Sequence, residues 1–225
     1  MNTSSENTPK SPKDYHVKLV ERRDVRDFIE KHHYSHNING LISDYCFAMY
    51  DKENNMVGAM IYGKMAMANQ WRKYAVNENS DHNSVIELRR LVLVDDTPRN
   101  SESYFIAKTL KWLKKNTNVE VIVSYADPNY GHEGIVYKAS NFSYLGKTSA
   151  GKVIMYRGKK YHDKAIRAKH NGEFKPFAVE LRQALENGEA EYVKQVPKNI
   201  YVYYLYDNAK NANTKQQQKE KIRNK

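Results

Sequence analysis

The sequence of 225 residues contains a single cysteine, Cys46, which excludes a disulfide bond within the chain. Proteins that stay in a reducing compartment have this composition, so we expect the protein in the cytoplasm. Cys46 lies inside the apolar run Tyr45–Tyr50, a position that favours a buried small side chain over a nucleophile.

Long hydrophobic runs are also missing. No stretch approaches the roughly 18 consecutive apolar residues that a transmembrane helix needs, and residues 1–14 lack the apolar core of a signal peptide. We therefore expect a soluble protein inside the cell, with no membrane partner. The sequence contains no internal repeat.

Acidic residues are fewer than basic ones, with 26 Asp and Glu against 37 Lys and Arg and a formal net charge of +11. Such a surplus indicates a polyanionic partner, although many proteins carry one as a solvated surface. The basic residues concentrate in Lys159–Arg182 and Lys210–Lys225, with Arg72 and Lys73 outside these segments.

Composition divides the chain into three parts. Residues 1–13 are rich in Ser, Thr, Asn and Pro, and residues 208–225 form a basic tail rich in Lys, Gln and Asn, so both are predicted to be disordered. The length of 14–207 suits one domain with a sizeable core. The sequence leaves monomer and homodimer equally open.

Hydrophobic periodicity predicts a mixed α/β protein, in which a central mixed sheet has helices on both faces. The predicted elements, in chain order, are a strand at Tyr15–Val20, a helix at Arg22–His33, a hairpin of Tyr45–Tyr50 and Met56–Tyr62, a strand at Val85–Val94, a helix at Ser101–Lys115, a strand at Val119–Ala126, a short helix at Gly134–Ser140, a hairpin of Phe142–Leu145 and Val153–Arg157, a helix at Pro176–Asn187 and a strand at Ile200–Tyr206. The long connection Lys64–Ser84 is predicted to be functional or disordered.

The two strands that flank Ser101–Lys115 are predicted to be parallel neighbours, because a helix crossover normally joins parallel strands. Ligands of such sheets lie beyond the carboxyl ends of the strands. Asp95, Asp96, Tyr125 and Asp127 fall at those ends. We therefore expect the chemistry there.

Asp127 ends an apolar strand, where partial burial would raise the pKa of its carboxyl group and make it a general base. The alternative is that Asp127-Pro128 simply begins a turn. Glu87 and Arg89 are expected on one face of their strand and Arg90 on the other. An arginine here either forms a structural ion pair or binds a phosphate or carboxylate.

Histidines at the end of the first helix, His33 and His36, raise the hypothesis of a metal site. Two histidines make an incomplete site, so we favour a role in binding the base or the donor and predict no metal. The turn Arg99–Ser103 opens a helix, whose free N–H groups suit a phosphate; an ordinary N-cap by Asn100 or Ser101 explains the same residues.

Two segments closely resemble the bacteriophage Mom family of DNA-modification proteins. The first is LRRLVLVDDTPRNSES and the second is SYADPNYGHEGIVYKASNFSYLGKT, and the motif HYSH at His33–His36 resembles the N-terminal motif of the family. The order of the elements is also that of the GNAT acyltransferase fold.

The resemblance implies a GNAT-like fold and an enzyme that adds a carbamoylmethyl group to the exocyclic amine of adenine in phage DNA, which shields the DNA from host restriction. DNA is then the substrate. Phosphate contacts from the basic segments would make DNA binding strongly dependent on salt. A base inside a duplex has to be flipped out and stacked against aromatic side chains.

The residues and the resemblance together predict a catalytic set, with the base among its carboxylates and histidines, a donor-binding set and a substrate-binding set. These sets are, respectively, Asp127, Tyr137, His36 and Glu87; Arg99, Asn100, Ser101 and Ser103; and His33, Tyr34, Ser35, Arg89, Arg90, Tyr125 and Lys147.

The donor is unknown. Acetyl-CoA fits a GNAT-like fold, but the pattern R/Q-x-x-G-x-G/A has Glu102 and Tyr104 at its two glycine positions. A carbamoylmethyl group is attached through its CH2, whereas simple acyl transfer from a thioester gives a different linkage. Two other functions stay open: a GNAT acyltransferase acting on a small amine or a protein, and a non-catalytic DNA-binding protein that blocks restriction.

Overall fold

The computed structural model describes residues 11–206. Within them, contacts divide the chain into two compact units, 11–126 with 134–146 and 200–206, and 127–133 with 147–199. The predicted disordered segments 1–13 and 208–225 lie outside the described residues, apart from 11–13, where a 3-10 helix begins at Pro12. The folding of 14–207 as one domain stays a prediction.

Twelve strands and four α-helices make up the described chain. In order they are β1 His16–Val20, α1 Arg22–His32, β2 Tyr45–Tyr50, β3 Met56–Lys64, β4 Val85–Leu93, α2 Ser101–Asn116, β5 Val121–Ala126, α3 Ile135–Ala139, β6 Ser143–Lys147, β7 Lys152–Tyr156, β8 Lys159–His162, β9 Lys169–His170, β10 Glu173–Phe174, α4 Pro176–Glu186, β11 Ala190–Lys194 and β12 Asn199–Tyr204. No helix among residues 11–206 is long and apolar enough to cross a bilayer.

The first unit is built on a seven-stranded sheet with the order β1-β2-β3-β4-β5-β12-β6. The pairs β1–β2, β2–β3 and β3–β4 are antiparallel, whereas β4 and β5 are parallel. The predicted mixed sheet, the β2–β3 hairpin and the parallel crossover through α2 are therefore confirmed.

Alternation along the strands explains why helices cover both faces of this sheet. In β2, Phe47 and Met49 pack in the cluster that contains the apolar side of α2, while Cys46 and Ala48 pack in the cluster that contains α1. The hydroxyl of Tyr62 lies 2.7 Å from Oγ1 of Thr109, which satisfies a polar pair in the core below α2.

The long connection between β3 and β4 is part of the core. Its residues Met65, Tyr74 and Val76 pack with Val121 and Val123 of β5, on the face opposite α2. The connection Lys64–Ser84 therefore covers β5 on the face of the sheet that α1 covers elsewhere.

The second unit has a three-stranded antiparallel sheet with the order β11-β7-β8, and α4 packs on it. Ile154 and Tyr156 of β7 alternate toward Leu181 and Ala184 of α4. A separate two-stranded sheet is formed by β9 and β10.

The predicted hairpin of Phe142–Leu145 and Val153–Arg157 is wrong. Strand β6 lies beside β12 in the large sheet, and β7 pairs with β8 and β11 instead. Nearness in sequence suggested the pairing, but short half-exposed strands carry little information about their partners. The polar strands β8 and β11 were not predicted for the same reason.

Candidate functional site

A β-bulge at Arg89 interrupts the pairing of β3 with β4. Ile61 pairs with Arg90 and the next residue, Tyr62, pairs with Leu88, so Arg89 has no counterpart on β3. The Arg89 guanidinium donates through Nη2 to the carbonyl of Lys64. A bulge of this kind redirects side chains, and bulges are common beside active sites.

The bulge moves Arg90 onto the same face as Glu87, so the predicted placement of these residues on opposite faces is wrong. Before the bulge, Leu88 packs on the α2 side of the sheet, and after it Leu91 does so. Arg90 is the direct partner of Ile61, which packs against α1. Simple alternation across Arg89 is lost because an unpaired residue shifts the phase by one.

Strands β4 and β5 stop pairing at the same level. Their last parallel partners are Leu88 and Ser124, although β4 continues to Leu93 and β5 to Ala126. The hydroxyl of Ser124 donates to the carbonyl of Leu88 at 3.3 Å, which closes the paired part of the ladder. Beyond this point the two strands no longer pair, and in open sheets ligands bind beyond such strand ends.

Tyr137 of α3 reaches Ser124 and forms a hydrogen bond with its hydroxyl. Burial raises the pKa of Tyr137 to about 12, and the charge of Glu87 acts in the same direction while the Ser124 hydrogen bond opposes it. The phenol is therefore protonated at neutral pH and can donate a proton or a hydrogen bond. The rings of Phe142 and Tyr201 lie 5.5 and 5.4 Å from the Tyr137 ring, centroid to centroid.

Gly134 makes this arrangement of rings possible. It precedes α3 with φ +83°, and a Cβ atom there would lie 2.2 Å from the ring of Tyr201. Only glycine tolerates both the backbone conformation and the contact.

Glu87 is the electrostatic centre of the site. Its carboxylate lies 3.7 Å from Nη2 of Arg89, and both side chains are largely buried. Its charge also acts on the phenols of Tyr74, Tyr125 and Tyr137 and raises the pKa of each, in addition to burial, which is the larger cause. One carboxylate thus influences three phenols.

Tyr125 belongs to a hydrogen-bonded group on the face of β5 opposite α2. Its hydroxyl accepts from Nε2 of Gln70 at 2.8 Å and lies 3.0 Å from the hydroxyl of Tyr74. Burial, with Tyr74 and Glu87, raises the pKa of Tyr125. Gln70 and Tyr74 were not predicted as site residues; the length of their connection predicted only that it is functional or disordered.

The loop after α1 contacts this cluster through interactions of Arg90 with Tyr34 and Asn37. Arg90 and Tyr34 interact electrostatically, and Tyr34 also acts on Tyr137. Burial lowers the pKa of Arg90, whose Nη2 donates to the carbonyl of Asn37 at 3.2 Å. The Tyr34 ring is 42% exposed and leans on the ring of His33, 4.2 Å away between centroids.

The ring of His33 packs against Tyr34, and His33 is itself held by hydrogen bonds with Ser35. Nδ1 of the buried His33 accepts the backbone N–H of Ser35 at 3.0 Å and lies 2.9 Å from its hydroxyl. A neutral His33 ring therefore carries its proton on Nε2. His36, predicted as catalytic, is exposed with φ 45°, and its Nδ1 bonds the carbonyl of Glu30 in α1.

Asp127 belongs to the second unit, and the predicted reason for its basicity is wrong. Burial acts to raise the pKa of its carboxyl group, but hydrogen bonds from Asn129 and Lys198 outweigh it and lower the pKa. Asn129 donates from its backbone N–H at 3.1 Å and from Nδ2 at 2.7 Å, and Nζ of Lys198 lies 2.9 Å away. Asp127 also caps the 3-10 helix Pro128–Tyr130, which is the turn that the alternative predicted. Its role as a base stays a prediction.

The predicted donor-binding turn opens α2 beside a cleft of about 510 Å³ that Asp95, Arg99, Asn100, Glu102 and Ser103 help to line. Asn100 is the N-cap residue in the left-handed region with φ 70°, and its side chain makes no capping bond.

Ser101 in the same turn is buried, and its hydroxyl donates to the carbonyl of Pro98 at 2.6 Å, so it does not face a ligand. A GNAT-type pyrophosphate does not fit this turn. The carboxylates of Asp95 and Glu102 would repel a pyrophosphate. Tyr104 occupies the second glycine position of the GNAT pattern, and its hydroxyl donates to the backbone carbonyl of Tyr15 at 3.3 Å.

Lys147, predicted to bind substrate, is exposed at the end of β6 and belongs to the second unit. Within residues 11–206, no group of three or more His, Cys, Asp or Glu side chains is arranged to hold a metal ion. The predicted residues that the structure brings together are thus Tyr34, Glu87, Arg89, Arg90, Tyr125 and Tyr137, all in the first unit.

The sequence matches the Mom protein family over residues 14–221. The chain belongs to the Mom family. A relative from Escherichia phage Mu, named methylcarbamoylase Mom, is 31% identical over 195 residues, which cover 85% of this chain and 76% of that protein.

The Mom-family chain also has similar solved structures, among them GNAT enzymes. One is the GNAT family N-acetyltransferase YhbS from Escherichia coli in complex with CoA, with a TM-score of 0.48, 9% identity and coverage of 93% of this chain and 88% of that one. Another is a mutant of the spermidine N-acetyltransferase SpeG from Vibrio cholerae, with a TM-score of 0.47, 9% identity and coverage of 87% and 96%.

Proposed function

We propose that this Mom-family protein is a transferase that adds a carbamoylmethyl group to the N6 amine of adenine in phage DNA, and so protects the DNA from host restriction. The observation that carries the proposal is the family match, which spans the whole Glu87–Tyr137 cluster. DNA as the substrate also agrees with the net charge of +11.

The reaction forms a bond between N6 and the CH2 of the carbamoylmethyl group, while N6 loses a proton and the donor loses the group that its CH2 carried. The adenine amine is a poor nucleophile because its lone pair is delocalised into the ring. The site therefore has to present the base, accept the N6 proton and assist the leaving group.

Glu87 is our choice for the proton acceptor. It is a carboxylate beside the end of the β4–β5 pairing, and the Arg89 guanidinium 3.7 Å away holds it in place. Asp127 is the weaker choice, because Lys198 and Asn129 already occupy its two oxygens and lower its pKa.

Tyr137 is our choice for the proton donor to the leaving group. With a pKa of about 12 its hydroxyl keeps its proton at neutral pH, and the contact with Ser124 holds the Tyr137 oxygen at the end of the β4–β5 pairing. A phenol in this state donates in a transition state without ionising beforehand.

Tyr34 is suited to receive the flipped adenine. Its ring is exposed, packed against the buried His33, and close enough to Arg90 and Tyr137 to interact with both electrostatically. A preformed aromatic surface of this kind offers a stacking partner to a base outside the duplex.

The chemistry of the reaction requires a donor whose CH2 bears a leaving group. The cleft beside α2, with Arg99 and Ser103, is our choice for its binding site. Because a GNAT-type pyrophosphate does not fit the turn, we assign no step to acetyl-CoA.

The test is nucleoside mass spectrometry. Plasmid DNA from bacteria that express the protein is freed of protein, digested and analysed, and we expect a deoxyadenosine heavier by a carbamoylmethyl group. Unmodified DNA from cells with abundant folded protein would refute the proposal. Protection that disappears on removal of protein would instead favour a DNA-covering protein, and turnover of acetyl-CoA without DNA would favour an ordinary acyltransferase.

The same assay tests Tyr137. Tyr137→Phe removes one hydroxyl and should lower the yield of modified adenine about 100-fold or more, the range expected for loss of a general acid. The loss of one neutral hydrogen bond should destabilise the fold by only about 1 kcal/mol. Tyr144→Phe is the matched control, since Tyr144 also lies beside Tyr201 but is 49% exposed. Equal yields from the two variants would exclude Tyr137 as the proton donor.

A further inference from the structure

Residues 164–175 of the second unit form a basic segment, called here the basic ribbon, in which a 3-10 helix that ends at Arg167 is followed by strands β9 and β10, which pair only with each other. Its turn is Asn171-Gly172, with φ values of 48° and 85°. Two consecutive residues with positive φ are typical of a tight type I′ hairpin, whose twist matches that of its strands. Residues 169–174 of the ribbon are therefore a short two-stranded hairpin.

The root of the ribbon is fixed to α4. The ring of Phe174 lies between Nζ of Lys169 at 4.6 Å and the guanidinium of Arg182 at 4.0 Å. Arg182 also donates through Nε to the carbonyl of Ile166 at 2.7 Å, and Lys175 donates its backbone N–H to Ala168 at 2.9 Å. These contacts hold the ribbon in one orientation on its own unit, although it joins neither sheet.

The ribbon carries cations without carboxylate partners. Lys164, Arg167, Lys169 and Lys175 are all exposed, and within residues 11–206 none of them forms an ion pair. The contrast with other cations of the same unit is clear, since Arg157 pairs with Glu180 and Lys198 with Asp127. The sole acidic residue of the ribbon is Glu173.

Exposed aromatic surface continues from this charge. Phe174 and Phe177, 37% and 42% exposed, line a shallow groove of about 510 Å³ together with His170, Lys175 and Pro176. Cations beside exposed aromatic rings suit a partner that offers phosphates together with apolar groups on base edges, such as the thymine methyl group.

We propose that the basic ribbon is the element that binds duplex DNA, with its lysines and arginine on phosphates and its Asn171-Gly172 turn in the major groove. The major groove, about 12 Å wide, admits a two-stranded ribbon. Other DNA-binding proteins use strands in this way. The inference rests on the proposed function, since it takes DNA as the substrate, and it adds the surface that holds the DNA.

The experiment measures binding of the full chain to a fluorescent duplex by anisotropy between 50 and 200 mM salt. The ribbon variant combines Arg167→Gln, Lys169→Gln and Lys175→Gln. The control variant combines Arg26→Gln, Lys31→Gln and Lys115→Gln, which are exposed on α1 and α2 and change the net charge equally. Circular dichroism verifies that both variants fold.

We expect the slope of log affinity against log salt to become shallower by roughly 2.7 in the ribbon variant, at about 0.9 per lost phosphate contact. The control should keep the wild-type slope. Equal changes in both variants would mean that only net charge matters, and an unchanged ribbon variant would mean that DNA binds elsewhere; either result overturns the proposal.

A single-stranded oligonucleotide provides the second comparison. If it binds more tightly than the duplex and loses affinity equally in the ribbon variant, the major-groove contact is refuted. Nucleoside mass spectrometry on DNA from cells that express the wild type distinguishes failure of the ribbon proposal from failure of the proposed function. Modified DNA with unchanged binding by the ribbon variant would refute the ribbon alone, and unmodified DNA would refute the proposed function while the binding result still applies to the ribbon.

Discussion

Asp127 is an ionised carboxylate held at both oxygens. Burial opposes its charge, but the hydrogen bonds from Asn129 and Lys198 outweigh burial and lower the pKa. A carboxyl group whose pKa is lower in the folded than in the unfolded state stabilises the fold above the unfolded pKa, about 3.9 for Asp. That contribution is lost as the pH falls through the folded value.

We therefore expect Asp127→Asn to flatten the acid side of the stability profile. The wild type should lose more of its free energy of unfolding than the variant as the pH falls below about 4, because only the wild type must protonate this group. Urea denaturation at pH 7 and at steps down to pH 3 measures the difference. Asp96→Asn, at an exposed position, is the control, and parallel profiles of wild type and Asp127→Asn would contradict the pKa shift.

Sequence reasoning found the residue types of the site better than their surroundings. Glu87, Tyr125 and Tyr137 were predicted, and the structure brings them into one electrostatic group. Ser124 was missed, although a serine inside an apolar strand is a usable signal. Lys198 gave no signal in the sequence, because a lysine 71 positions from Asp127 cannot be distinguished from the other exposed lysines. The pKa of Asp127 depends on Lys198 as well as on the neighbouring Asn129, and the contribution of the distant lysine could not be predicted.

The bulge on β4 packs against Gly63 of the neighbouring strand β3. Gly63 faces the bulge, and a Cβ atom there would lie 2.1 Å from the carbonyl oxygen of Ile42 and 3.3 Å from Nε of Arg89. Backbone on one side and a buried guanidinium on the other leave no space for a methyl group.

Gly63→Ala should therefore destabilise the protein by about 1–3 kcal/mol, the usual cost of overpacking. Thermal unfolding should detect it, since about 1 kcal/mol lowers the melting temperature by roughly 2–4 °C in a chain of this size. Gly151→Ala is the control, because nothing lies within 4 Å of a Cβ atom there. Equal melting temperatures of the two variants would contradict the packing argument.

At the scale of elements, long periodic segments were predictable and local irregularities were not. The helices α1, α2 and α4 and the strands of the large sheet through β5 follow their hydrophobic patterns closely. The bulge leaves no trace in the pattern LRRL, because a phase shift is visible only against the partner strand. That is why Arg90 was assigned to the wrong face.

The whole first unit protects its single thiol. Cys46 is 4% exposed among Ala48, Ala59 and Ile61, under α1. Burial raises the pKa of the thiol to about 11, against which Arg22 and a hydrogen bond with Ser43 act only in part. The thiolate that reacts with reagents is thus both scarce and inaccessible.

We expect Cys46 to resist a thiol reagent in the native protein and to react at the rate at which this part of the sheet opens. Labelling followed by mass spectrometry across a urea series should show one modified site, whose appearance tracks the loss of tertiary structure. A Ser149→Cys variant, with its added thiol in an exposed turn, should be labelled there within minutes without urea. Rapid native labelling of Cys46 would contradict the buried position.

Strand β12 fills the place between β5 and β6, although more than fifty residues separate it from β6 along the chain. During synthesis on the ribosome, β5 and β6 both emerge long before the strand that joins them. Until β12 is made, the edges of β5 and β6 that pair with it are exposed. Exposed strand edges in growing chains favour association with chaperones or with other chains. Closure of the sheet therefore has to wait for synthesis of Asn199–Tyr204, and a product that stops before Asn199 lacks the strand that joins β5 to β6.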